Sequence, residues 1–149
     1  MADRQRLASM TQLLAVQRAR RSSAEIILVE ARQAEAKARD AERMAILERD
    51  EAVGDWTTYV EKAGFSPEHS RMLATLLIER DHAAGLAGGH AEAATQLSGR
   101  REQEWRTAEA QVRAGTAARR RLDRKLARRD EEKGLAALAD RVTRSWRPS

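Results

Sequence analysis

The sequence predicts an all-α fold: an elongated antiparallel two-helix coiled-coil hairpin with a C-terminal helical overhang. Three observations carry that prediction. Ala, Glu, Lys, Leu and Arg supply 86 of the 149 residues, the composition of long helices and coiled coils. Only five residues are aromatic, and Val plus Ile number ten. That is too few for strands, which favour β-branched and aromatic side chains. Finally, one stop-and-restart signal, Lys62-Ala63-Gly64-Phe65-Ser66-Pro67-Glu68, separates two helical stretches.

The first helix is predicted over about residues 3–62. Its seam, written in alternating steps of four and three, runs Leu13, Gln17, Arg20, Ala24, Ile27, Ala31, Ala34, Ala38, Ala41, Ala45, Glu48, Ala52, Asp55, Tyr59. Ten of these fourteen positions are apolar or aromatic, with Ala dominating the middle. Such a seam lets two helix axes approach closely but buries little apolar area, so the high helix propensity of Ala must supply much of the order.

The tip loop is predicted at 63–66. Gly64 closes the first helix by taking a positive φ, and Phe65 folds back on Val60 or its neighbours. Ser66 is the N-cap of the second helix, Pro67 its first residue, and Glu68 complements the helix dipole. So short a connection makes the helices antiparallel neighbours.

The second helix is predicted over about residues 67–142, with seam Leu73, Leu77, Arg80, Ala84, Ala87, Ala91, Ala94, Ser98, Arg101, Trp105, Ala108, Val112, Gly115, Arg119, Leu122, Leu126. A turn centred between residues 64 and 65 sets Ala45 against Ala84, Ala52 against Leu77, and Gln17 against Val112. At 1.5 Å per residue the helices span about 90 and 115 Å, so the second overhangs from about residue 127. Leu135, Leu138 and Val142 give that overhang a short apolar stripe, followed by Trp146. Gly85, Gly88 and Gly89 together cost about 2–3 kcal/mol against Ala. They mark either close packing of the hairpin or a break, and predict local bending or fraying at 85–89. The whole chain, 1–149, reads as one helical hairpin.

Net charge is +5, distributed as +2 over residues 1–50, −3 over 51–100 and +6 over 101–149. The turn end is therefore slightly acidic and the open end basic. The densest basic run comprises Arg119, Arg120, Arg121, Arg124, Lys125, Arg128 and Arg129, with Asp123 its one acid. A basic helix attracts phosphate or an acidic protein surface. No finger, aromatic stacking platform or helix-turn-helix accompanies the run, and Asp130-Glu131-Glu132 adjoins it, so no specific nucleic acid is expected.

Catalytic chemistry has no visible constellation, and a non-enzyme is expected, with no cofactor. The chain has no Cys, which removes disulfides and thiolate chemistry. His69, His82 and His90 lack the carboxylates that would complete a metal site. Ser66 has His69 three residues on, but no third group to orient it, and capping explains the serine better. There is no Gly-Lys-Ser/Thr phosphate loop. The longest stretch without a polar side chain, Ala83 to Gly89, is seven residues, against about 20 for a membrane span. The first residues lack the apolar core of a secretory signal. A soluble intracellular protein is therefore expected.

The whole-chain layout resembles the FliJ/YscO family of type III export apparatus stalk proteins, flagellar or injectisome. An N-terminal pattern (Leu7, Leu13, Leu14, Arg18), a first helix of about sixty residues, a short tip, a longer second helix and the segment Leu122, Leu126, Arg128, Arg129, Glu131 carry the resemblance. The resemblance implies a cytoplasmic stalk at the cytoplasmic face of the inner membrane, linking the hexameric export ATPase to the membrane export gate and promoting the ATPase's activity. Its basic open end, Arg119 to Arg129, would enter the ATPase ring, and export chaperones are further implied partners. It also implies a gate-contacting face near the tip. Spacing i, i+3, i+7 selects Val53, Trp56 and Val60 for it, with Leu73, Leu76 and Leu77 opposite. The same residues would equally staple the tip. Two other classes compete: a coiled-coil adaptor or scaffold with weak self-association, in which a four-helix dimer would bury Trp105, and a basic helical nucleic-acid-associated protein.

Overall fold

The computed structural model describes residues 2–62 and 64–146. It is an all-α helical hairpin: α1 (Ala2–Glu61) and α2 (Pro67–Ser145) pack against each other, and no strand occurs among the described residues. Of the tip loop, Ala63 lies outside the described residues.

The turn follows local chemistry. Lys62 N–H donates to Tyr59 C=O at 3.2 Å, a tightened last turn of α1. Gly64 takes φ +128°, where a residue bearing a side chain would be strained. Ser66 C=O accepts from Ser70 N–H at 2.9 Å, the first bond of α2, and Ser66 Oγ accepts from His69 N–H at 3.5 Å. Ser66 is thus the N-cap, ahead of Pro67 and Glu68 in the first turn. Phe65 does not fold back on Val60: both are exposed, at 76% and 62%. The Tyr59 ring, anchored on the Ser66 backbone, holds the turn instead.

By contacts the chain divides into two units. The unit that holds the turn comprises residues 24–104. There α1 presents Ala24, Leu28, Ala31, Glu35, Ala38, Glu42, Ala45, Arg49, Ala52, Trp56 and Tyr59 as its least exposed ridge. Leu73, Ala84, Ala91 and Ser98 of α2 are buried with it. Cross-helix polar contacts rim this seam: Arg80 Nη1 to Glu48 at 2.9 Å, Arg39 Nη2 to Thr95 Oγ1 at 3.1 Å, and Arg32 to Glu102 at 3.5 Å. These are exposed pairs, each contributing about 0–1 kcal/mol.

The second unit comprises residues 1–23 and 105–149, of which 2–23 and 105–146 are described. Leu14, Ala108, Val112 and Leu122 form its buried core, with Leu7, Met10, Gln17, Trp105 and Leu126 half-buried. Arg21 meets Glu109 at 3.5 Å, and Arg129 pairs with Asp3.

On α2 every predicted seam position is buried or half-buried, from Leu73 to Leu126. On α1 half of the predicted seam is displaced. Gln17, Ala24, Ala31, Ala38, Ala45, Ala52 and Tyr59 stand as predicted. The alternate positions are Leu14, Arg21, Leu28, Glu35, Glu42, Arg49 and Trp56, each one residue beyond Leu13, Arg20, Ile27, Ala34, Ala41, Glu48 and Asp55. The reason is burial. Leu14 and Leu28 are 1% and 5% exposed, against 55% and 42% for Leu13 and Ile27. Long Glu and Arg stems then cover the flanks of the seam while their charged ends reach water or a partner.

The predicted fraying at 85–89 does not occur. α2 is helical through Gly85, Gly88 and Gly89. A Cβ on Gly88 would meet only the end of the Glu42 side chain, with Oε1 at 3.4 Å, and one on Gly85 or Gly89 would meet nothing within 4 Å. The tightest approach is elsewhere. A Cβ on Gly115 would lie 2.6 Å from Gln17 Oε1 and 3.3 Å from Leu14 Cδ1. Gln17 therefore meets Gly115, one turn from Val112, and a side chain at 115 would require the Gln17 amide to move.

Candidate functional site

Two surfaces hold the predicted site residues, one in each unit. Among the described residues no group of three or more His, Asp or Glu is placed to hold a metal ion. No helix there is long and apolar enough to cross a membrane.

At the turn, Leu73 is buried, and Leu76, Leu77 and Trp56 are half-buried. These side chains hold the tip together. Val53 and Val60, on the flank of the seam, are 43% and 62% exposed. The predicted six therefore do not form one face. Tyr59 stacks obliquely on His69 with ring centroids 4.7 Å apart, and Trp56 lies 6.4 Å from Tyr59. Trp56 and Tyr59 are engaged with one another and, through Tyr59, with the turn. Phe65 and Met72, absent from the predicted set, are exposed beside it; Phe65 was legible as a loop aromatic with no helix seam to enter.

At the basic end the seven predicted cations separate into two groups. Arg119 belongs to the seam: it is half-buried, its Nε is 4.0 Å from Asp123 Oδ2, and that Nε has no hydrogen-bond partner among the described residues. Arg129 pairs with Asp3 of α1. Arg120, Arg121, Arg124, Lys125 and Arg128 are exposed, and no carboxylate among the described residues lies within ion-pair distance of them. Arg124 Nε donates only to Arg120 C=O of its own helix, at 3.4 Å. An open groove is lined by Arg121, Arg124, Lys125, Arg128, Arg129 and Glu132.

No family model, curated protein or solved structure matches the chain.

Five cations within nine residues, with no ion-pair partner among the described residues, repel one another. Such a cluster gains most when carboxylates or phosphates are brought to it. Chemically the surface is suited to docking through charge.

Proposed function

We propose that this chain is a non-enzymatic stalk of a type III protein export apparatus, joining the hexameric export ATPase to the membrane export gate and promoting ATPase activity. The observation that carries the reading is the unneutralised cluster Arg120, Arg121, Arg124, Lys125 and Arg128 at the open end of a hairpin. A stalk of this kind works in the cytoplasm, peripheral to the inner membrane. Its basic end meets acidic surface on the ATPase ring, and exposed Val53, Val60 and Phe65 near the turn face the gate. Export chaperones are further partners on this reading. The resemblance of the sequence layout to the FliJ/YscO family supports it.

The test is copurification with the export ATPase of the same cell, followed by an ATPase assay. Addition of the chain raises the rate, and Arg120, Arg121, Arg124 and Arg128 changed together to Glu abolish the rise. Full stimulation by that variant removes the basic end as the docking point.

A second reading, a coiled-coil adaptor that self-associates, is favoured by the exposure of Ile26, Val29, Met44 and Leu47 along α1. It predicts doubled mass in light scattering. A nucleic-acid-associated protein would bind a DNA or RNA column with steep salt dependence.

A further inference from the structure

The apolar residues at the end of α2 do not continue its seam. Leu126 is the last half-buried residue, and every described residue beyond it is exposed, including Leu135 at 67%, Leu138 at 58%, Val142 at 51% and Trp146 at 83%. At about 100° per residue, these four share an arc of about 80°, while Leu122 and Leu126 of the seam lie about 140–180° away from Leu135. Trp146 stays on this arc because its N–H donates to Val142 C=O at 3.2 Å, as in the helix. Traced backward, the same arc meets Glu131, then Arg128, Arg124 and Arg121, all within about 100°. The outer face of α2 therefore reads, in order, three unneutralised arginines, one glutamate and four exposed apolar side chains.

We infer that this outer face, from Arg121 to Trp146, docks one helix of another protein whose facing residues run acidic, basic, apolar. Carboxylates meet Arg121, Arg124 and Arg128, a cation meets Glu131, and a hydrocarbon ridge covers Leu135, Leu138, Val142 and Trp146. Charge selects this occupant. A second copy aligned in parallel sets each arginine against itself. Aligned antiparallel over the whole stripe, it sets Arg121 against Trp146 and Arg128 against Ala139, burying charge against hydrocarbon. An anionic membrane is disfavoured because the part of the face that bears the apolar side chains, residues 130–146, carries four acids and three bases, whereas interfacial helices set Lys and Arg beside their apolar residues. The inference rests on the stalk reading only in that both require the open end to meet another protein.

The test uses the full chain and fluorescein-labelled helical peptides. One probe carries Glu, Glu, Glu, Lys and then four Leu along one face. Its charge-inverted mate carries Lys, Lys, Lys, Glu and the same leucines, and both are made in both chain directions. Fluorescence anisotropy at low salt is expected to show the acidic probe bound about tenfold more tightly than its mate. R121E/R124E/R128E reverses that preference with helix content by circular dichroism unchanged. L135S/L138S/V142S weakens both probes about tenfold with helix content by circular dichroism unchanged. Equal affinity for the two probes, an unreversed preference, or no binding overturns the inference. So does capture by phosphatidylserine vesicles but not by the probes, or a doubled mass that L135S/L138S/V142S halves. ATPase stimulation separates the two proposals. Stimulation without probe binding sinks the docking face alone, and probe binding without stimulation sinks the stalk alone.

Discussion

The Tyr59 hydroxyl engages both backbone groups of Ser66: it accepts from Ser66 N–H at 2.7 Å and donates to Ser66 C=O at 2.8 Å. One side chain from the end of α1 thus fixes the residue that caps α2. With Gly64 at positive φ and the Tyr59 ring against His69, it locks the geometry of the turn.

Tyr59→Phe keeps the ring and removes both hydrogen bonds. It is expected to destabilise the chain by about 1–2 kcal/mol, read as a lower midpoint in urea. Faster amide exchange should concentrate at Ser66 and His69. An unchanged midpoint and unchanged exchange at Ser66 contradict the latch.

The phase of the α1 seam is testable with adjacent residues of the same type. Leu14→Ala removes a side chain that is 1% exposed and should cost about 2–4 kcal/mol. Leu13→Ala, at a site 55% exposed, should fall within about 0.5 kcal/mol of the parent. Equal losses, or the reverse order, restore the displaced seam.

The glycines of α2 divide by what lies opposite. Gly85→Ala and Gly89→Ala meet nothing within 4 Å and should each stabilise the helix by up to about 1 kcal/mol. Gly115→Ala should gain less, because its Cβ falls 2.6 Å from Gln17 Oε1 and the amide must move. In a Gln17→Ala background the gain at Gly115 should return. A Gly115→Ala gain equal to that at Gly85 in the parent contradicts the contact.

The turn and the α2 seam were legible because their signals are local or unambiguous. Gly64, Ser66, Pro67 and Glu68 each favour one role at one place, and Leu73, Val112, Leu122 and Leu126 leave the register of α2 no good alternative. α1 offered two. Leu13 stands next to Leu14 and Ile27 next to Leu28, and Ala between them fits either phase, so only the partner helix decides. The helix continues through Gly85–Gly89 because the flanking Ala-rich helix and the partner across it offset the low helix propensity of glycine. At the basic end the cluster was legible but its pairing was not. Arg129 finds Asp3 across 126 positions of sequence, a contact that no local pattern encodes.

The unpaired cations predict salt behaviour. On the proposed stalk reading, binding of the hexameric export ATPase through Arg120, Arg121, Arg124, Lys125 and Arg128 should weaken steeply as ionic strength rises, since exposed charges are screened beyond about 10 Å at 0.1 M. Sedimentation of the complex across a salt series measures it. Binding insensitive to salt would place the contact on apolar surface instead.

The hairpin itself is tested most directly by a distance inside one unit. Arg32 and Glu102 lie across the seam with charged atoms 3.5 Å apart, although an unbroken helix would hold them about 100 Å apart. Nitroxide labels on Arg32→Cys and Glu102→Cys, diluted with unlabelled chain, should give one short distance by electron paramagnetic resonance, on the order of 10–20 Å for adjacent helices with label arms. A distance several times longer in the dilute monomer, or a short distance that vanishes on dilution with unlabelled chain, would contradict the folded-back pair and every surface built on it.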